Sequence, residues 1–363
     1  MSYSSLTFIM LLVLFSYNLK TNYYHYKFGL FYGIMISFLI HLVMVKYSIA
    51  IGALIGFMAI QSLYHAFFHH FTYEGPTNEN STSSLEFLKT TSVCAAVLGA
   101  LAFLPAFVAR DSIEIMPYLI IIGSIWTIIS PKVYVSKWKT KINTYGFGAN
   151  SSVDATLMSI MVSFSLLIHP TTLTYFAIVL AGIAIARTKA AMGAAGYITC
   201  LSVYFFPYSL VLIPIGLILA NLYYDKIKVF LSPRGRYEIW EYSIKVCGPF
   251  WKPLTGIGAG AYRYVVPKIQ CDTGTILIKN PDMPKELNYH LWAHNDLLQF
   301  FLECGFIGIV LLLFSVFDIT VLASGNRGAI AFIACWAINS LGNFNNHLAP
   351  DVSLLTLFLI NLQ

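Results

Sequence analysis

The sequence predicts an all-α polytopic membrane protein of about twelve transmembrane helices, interrupted by one large polar loop that carries short amphipathic helices. Two features of composition and one of layout predict it. Of 363 residues, 58% are hydrophobic and only 10% are charged, where a soluble domain carries about a quarter charged residues. Mean hydropathy is +0.71. Apolar runs follow one another along the chain, bounded by charges, prolines and polar clusters, and only the stretch 225–293 departs from that pattern for long. The whole of 1–363 therefore reads as a single membrane domain, with the loop 225–293 inside it. The first apolar run lacks a small-residue cleavage site and is expected to be the first span rather than a leader. The net charge of +6 is spread over membrane edges, which argues against nucleic-acid binding.

In order, spans are expected at 6–17, 28–45 and 48–67, then, after the polar loop 73–84, at 91–109 and 115–129. A lysine-rich connector leads to 153–168, 173–185, 190–206 and 208–223. Beyond the large loop come 297–321, 328–341 and 352–362. Several are shorter than the ~20 residues that cross a bilayer and must tilt or extend into the adjoining loops. Twelve spans place both termini on one side and the connectors 131–150, 187–189, 225–293 and 342–350 on the other. The unusual polar residues are then co-facial, as for one site built from several loops. The same face holds Lys132, Lys137, Lys139, Lys141, Arg187 and Lys189, against Lys46, Arg110 and Arg327 opposite. Taken alone, the positive-inside rule would put the large loop in the cytoplasm.

Charges at the edge of apolar helices are functional candidates by default. Arg187 and Lys189 sit at such an edge, either as functional groups or as snorkelling anchors. Arg236 opens an amphipathic segment in which Tyr237, Trp240, Ile244 and Cys247 share one helical face, so the helix is expected in the interface with Trp240 at headgroup depth. A guanidinium there fits a lipid phosphate bidentately; the plain alternative is a solvated interfacial arginine. Gly256, Gly258 and Gly260 permit close backbone approach or positive φ, and with no βαβ context they do not indicate a dinucleotide site. Arg263 and Lys268, just beyond, are further anion ligands or surface charges.

His294-Asn295-Asp296 opens a long apolar helix that Asn295 or Asp296 can cap. Asn295, Gln299 and Glu303 recur every four residues as one polar stripe, and a buried Glu303 must be paired, protonated or solvated. His294, at the mouth, can exchange a proton near neutrality. Four cysteines (Cys94, Cys200, Cys304, Cys335) lie in apolar runs as small packing residues. Cys247 and Cys271 share the large loop and are free to pair if it is extracytoplasmic. There is no Asp-x-Asp, and the one His-x-x-x-His read as helical with an acid nearby is the weak His65/His69 pair, so neither metal nor cofactor is expected.

His294-Asn295, nine residues, then Gly305-x-x-Gly308 resembles the signature of the O-antigen ligase and polymerase superfamily, GT-C-like membrane glycosyltransferases of bacterial surface-polysaccharide assembly. Arg236-x-x-x-Trp240, the glycine run 253–260, Gly146-Phe-Gly-Ala-Asn150 and the helix edge Thr188-Lys189-Ala190 extend the likeness over residues 130–320. At that last edge the family usually carries Ser-Arg-Gly, and lysine is a point charge where arginine is a fork. The resemblance implies a metal-independent, inverting transfer of a glycan from undecaprenyl pyrophosphate. It places the active site and the large loop on the periplasmic face of the bacterial inner membrane, against the charge rule. Arg236, with Lys189 or Arg263, would hold the pyrophosphate and stabilise the leaving group, and His294 would orient or deprotonate the acceptor hydroxyl. Arg187, Asn295 and Gly258 complete the implied substrate-binding set. The expected activity is polymerisation of carrier-linked repeat units, with a lipid-linked oligosaccharide, the bilayer and a chain-length regulator as partners. A ligase transferring the glycan to lipid A core is the alternative. From another class, a transporter or flippase would show paired broken helices and midplane charges.

Overall fold

The computed structural model describes residues 105–130, 132–135, 140–143, 151–188, 190–208, 236–247, 252–258 and 293–342, with 50, 53, 54, 57, 58, 60, 61, 262, 266, 354, 355, 358 and 362. The spans expected at 6–17 and 28–45 lie outside them, as do most of 48–67, 91–109, 208–223 and 352–362. The described chain is predominantly helical: α1 Pro105–Ile129, α2 Ser151–Ser165, α3 Thr172–Thr188, α4 Ala191–Phe205, α5 Arg236–Cys247, α6 Asp296–Ala323 and α7 Arg327–Ser340. One departure from all-α lies in the lysine-rich connector. There β1 Lys132–Val135 and β2 Thr140–Asn143 pair antiparallel, with Lys132 opposite Asn143 and Val135 opposite Thr140. Lys-Val-Tyr-Val is a strand-favouring run, β-branched and aromatic, and it is too short and too charged to continue a span. Among the described residues, one helix, α6, is long and apolar enough to cross a membrane, and 113–129, 152–165, α3 and α4 are shorter apolar helices.

α2 is the centre of the bundle, touching α1, α3, α4 and α7. Side-chain bonds fix the directions. Thr127 Oγ1 reaches Asp154 at 2.5 Å and Ser124 Oγ reaches Met158 Sδ at 3.4 Å, so α1 and α2 run antiparallel. Asn326 Nδ2 donates to the Leu167 carbonyl at 3.0 Å while Asn339, at the far end of α7, meets Thr156 and Ser159; α2 and α7 are antiparallel too. The Tyr197 hydroxyl donates to the Ile178 carbonyl, setting α4 against α3. The ends of α1, α3 and α7 and the starts of α2 and α4 thus gather at one end of the bundle, and a Cβ on Gly342 would lie 2.7 Å from Met192. The helix ends that bound three of the four connectors grouped by counting spans meet there.

Within a mainly apolar core that includes Leu119, Ile120, Phe164 and Phe332, many polar side chains are also buried, and large apolar ones face outward. Ser124, Thr127, Asp154, Thr156, Ser159, Ser163, Ser165, Asn339 and Ser340 are buried, while α1 exposes Ile122, Ile125 and Ile129, and α3 exposes Phe176, Val179 and Ile183. On α6 the exposed stripe is Phe306, Val310, Leu313, Phe317 and Val321. The inner serines satisfy themselves locally: Ser159, Ser163 and Ser165 each donate to the carbonyl three residues back at 2.7–2.8 Å. The helices approach closely on small residues, Ala177, Ala181 and Ala184 of α3 and Gly193 and Gly196 of α4, a packing that lets backbones meet without relying on hydrophobic expulsion.

Asn339 joins three helices at that junction. Its Oδ1 accepts from Thr156 Oγ1 at 3.2 Å, and its Nδ2 donates to Ser159 Oγ and the Cys335 carbonyl, each at 3.0 Å. Gly196 makes the room, since a Cβ there would stand 2.2 Å from Nδ2. Asn339→Ala removes bonds between helices worth about 0.6–1.7 kcal/mol each. A thermal unfolding series on detergent-purified protein is expected to place it about 1–2 kcal/mol below the parent, with Gly196→Ala at least as low.

Candidate active site

The loop 252–258 and α6 form one structure. α6 is broken at Gly305, whose φ of 61° and ψ of −158° lie outside the helical region. A break inside an apolar helix frees carbonyls before it and N–H groups after it, and in lipid these must be paired within the protein. The glycine loop pairs them on both sides. Ile257 and Gly258 N–H donate to the Leu302 and Glu303 carbonyls at 2.9 and 2.8 Å, and Phe306 and Ile307 N–H donate to the Pro253 and Leu254 carbonyls at 2.9 and 3.0 Å. The loop is itself a tight turn, with Gly256 N–H on the Lys252 carbonyl at 2.7 Å, and Gln61 Nε2 ties it to the N-terminal part of the chain through the Thr255 carbonyl at 2.7 Å.

Two glycines make the joint possible. Gly256 has φ +69°, and a Cβ on it would lie 2.4 Å from the Glu303 oxygen; a Cβ on Gly305 would lie 2.5 Å from Gly256 N. Each is glycine because backbone from the other segment occupies the place of its side chain: the Leu302 and Glu303 carbonyls at Gly256, and Leu254 and Gly256 at Gly305.

Above the break, the first half of α6 carries the polar stripe inward. Asn295 caps the helix, its Oδ1 accepting from Leu298 N–H at 2.9 Å. Gln299 and Glu303 are 1% and 5% exposed. Gln299 Nε2 donates to Glu303 Oε1 at 3.2 Å, Gln299 Oε1 accepts from Ala293 N–H at 3.1 Å, and the same Glu303 oxygen accepts from Tyr262 N–H at 3.1 Å. The Tyr262 hydroxyl shares a 2.6 Å hydrogen bond with Ser243 Oγ on α5. Around these bonds Ile257, Tyr262, Val266, Ala293 and Leu302 form a small core of their own, with Tyr242 and Leu298 against it. His294 stands at the entrance with φ 54°, the one non-glycine residue with positive φ among those described.

No family model matches the chain, and no curated protein matches it.

The expected site residues are placed as follows. His294 and Asn295 stand together at the start of α6. Arg236 is the first residue of α5, a helix that packs on α6; its side chain, like Lys189, Arg263, Lys268, Cys271 and the segment 146–150, lies outside the described residues. Gly258 is next to α6, with its N–H committed to the Glu303 carbonyl. Arg187 is exposed and spends its guanidinium on α1, Nε on the Thr127 carbonyl at 3.1 Å and Nη2 on the Ser130 carbonyl at 3.0 Å. That is a cation on the negative end of a helix, which binds helix to helix. The inward face of α5 is Ile239 and Ser243, while Ile244 is 55% exposed. Trp240 Nε1 and the Tyr242 hydroxyl are buried on α5 with no hydrogen-bond partner among the described residues, two donors of the kind that oxygen-rich ligands take. Among the described residues, no three His, Cys, Asp or Glu side chains form a group able to hold a metal ion. Glu303 and Tyr262 are the residues that sequence reasoning left without a role.

Proposed function

We propose that the chain is a multi-pass protein of the bacterial inner membrane with about twelve spans. In this reading it is a metal-independent, inverting glycosyltransferase that polymerises undecaprenyl-pyrophosphate-linked repeat units on the periplasmic face. The observation that carries this reading is the joint between the glycine loop and Gly305. The two glycine motifs that suggested the family are 49 positions apart, from Gly256 to Gly305, and they are joined by backbone hydrogen bonds within α6, the helix that His294 and Asn295 lead into. The exposed apolar stripes support the membrane part of the reading, because lipid rewards that arrangement and water does not.

The roles follow from position and chemistry. Arg236, on the helix packed against α6, holds the pyrophosphate through its planar fork, with Arg263 or Lys189 beside it. This offsets the charge that grows on the leaving group. His294 takes the proton of the acceptor hydroxyl as that oxygen attacks the anomeric carbon and the carrier pyrophosphate departs. Inversion follows from a single displacement, and a chain-length regulator would act on this step from outside the bundle.

A transporter or flippase of lipid-linked glycan is the second reading, and the break at Gly305 favours it, since discontinuous helices build binding sites in transporters. Arg236→Lys separates the two in cells. Loss of the fork is expected to cut polymer by about tenfold while single repeat units still reach the outer face. Long carrier-linked chains would instead indicate a ligase. Intermediates trapped on the cytoplasmic side would overturn the enzymatic reading in favour of transport.

A further inference from the structure

The buried pair Gln299 and Glu303 has geometry beyond what a polar stripe needs. Four bonds converge on it. Glu303 Oε1 accepts from Tyr262 N–H and from Gln299 Nε2, Gln299 Oε1 accepts from Ala293 N–H, and the Glu303 carbonyl accepts from Gly258 N–H. Gly258 and Tyr262 are both bonded to Glu303, so the stretch between them is pinned at each end to one residue of α6. Tyr262 immediately precedes Arg263, and Ala293 immediately precedes His294. The backbones leading into two candidate site residues therefore end on the same two side chains.

We infer that Gln299 and Glu303 are positioning residues that lock Gly258 and Tyr262 of the large loop to the first half of α6 and so fix the backbone leading into Arg263 relative to that leading into His294. The roles of Arg263 and His294 rest on the function proposed above; the locking rests on the bonds alone. The residue types fit the task. A loop N–H entering an apolar helix face needs an acceptor, and a carboxylate accepting two donors binds them more strongly than a neutral oxygen does. Position 299 must donate to that carboxylate and accept from Ala293 with one side chain, which an amide does.

Exchanging the two side chains tests this in the full-length protein. Gln299→Glu alone sets two buried carboxylates one turn apart and removes the donor between them. Adding Glu303→Gln returns one amide and one carboxylate to the pair: the new carboxylate accepts from Ala293 N–H and from the amide nitrogen at 303. Because Glu303 Oε1 alone serves both Tyr262 and Gln299 in the parent, a rotation of the side chain at 303 is needed to bring its amide oxygen to Tyr262 N–H. The primary readout is the rate of tryptic cleavage after Arg263 in detergent-purified protein, followed by mass spectrometry. Gln299→Glu is expected to be cut about tenfold faster than the parent, as for a lost buried hydrogen-bond partner, and the exchange variant to return to within about threefold. If Gln299→Glu alone yields no folded protein, recovery of folded protein on adding Glu303→Gln is the same result. Parent-like cleavage of Gln299→Glu, or no recovery in the exchange variant, overturns the locking.

Glycan chain length in cells is the second readout. Polymer that falls and recovers with the cleavage series supports positioning. An exchange variant that is protected yet makes no polymer assigns the carboxylate at 303 a direct part in the chemistry and overturns it. Polymer unchanged in all variants while the cleavage series holds removes Arg263 from the proposed site and leaves the locking in place.

Discussion

Gly305→Ala is expected to destroy the joint between α6 and the glycine loop, and with it the folded state around the entrance. Its backbone, at φ 61° and ψ −158°, lies in a region essentially reserved for glycine, and forcing a side chain into it costs about 1–3 kcal/mol. The added Cβ would also lie 2.5 Å from Gly256 N and 2.7 Å from both the carbonyl carbon and oxygen of Leu254. Those are backbone atoms, held by four hydrogen bonds across the joint, so they do not swing aside. The sum exceeds about 4 kcal/mol, a size that single substitutions rarely reach. Gly256→Ala, with φ +69° and a Cβ 2.4 Å from the Glu303 oxygen, is expected to do the same. The double variant should be little worse than either alone, because both break one structure. Gly325→Ala is the control: it lies in the turn after α6, a Cβ there meets nothing within 4 Å, and the change is expected within about 0.5 kcal/mol. Unfolding midpoints of the four purified proteins decide the matter. A Gly305→Ala protein as stable as Gly325→Ala would mean that α6 runs unbroken.

That break marks the limit of what the sequence discloses. Hydropathy runs through 297–321 without interruption, and a lone glycine inside a helical pattern normally costs only ~1 kcal/mol. What bends α6 is a second backbone, and the partner's glycine lies far away in the chain. The readable clue was that both segments carry glycines in motif-like spacing. The helices themselves were legible because their apolar runs end at charges and prolines, and the Asn295 cap and the 295/299/303 stripe followed from spacing alone. The inward face of α5 was not legible. Apolar periodicity selects 237, 240, 244 and 247, yet Ile239 and Ser243 turn inward, where Ser243 meets the Tyr262 hydroxyl. An outward Ile244 is unremarkable where the surroundings are lipid, so in this setting apolar periodicity does not separate inside from outside. Arg187 read as a headgroup anchor or an anion ligand because its partners are carbonyls of α1, and backbone acceptors leave no trace in composition.

His294→Gly is the second large effect, and it separates folding from chemistry at one position. The parent histidine holds φ 54°, which costs an L-residue about 1–2 kcal/mol; glycine relieves that strain but loses roughly 0.5–1 kcal/mol through its more flexible unfolded chain. The two nearly cancel, so the unfolding midpoint is expected to stay within about 1 kcal/mol of the parent. Polymer synthesis in a membrane assay with carrier-linked substrate is expected to fall about 10²–10⁴-fold, the range lost with a positioned proton acceptor. His294→Val draws the contrast. A β-branched side chain at positive φ is strained, so it loses stability by about 1–3 kcal/mol as well as activity. Strain held at a residue that the fold does not need there is the mark of a site shaped for something other than stability. A His294→Gly protein that folds normally and still makes full-length polymer would remove the imidazole from the reaction. One that falls in stability as far as His294→Val would make His294 a structural residue, with its left-handed backbone serving only to aim Asn295 at the start of α6.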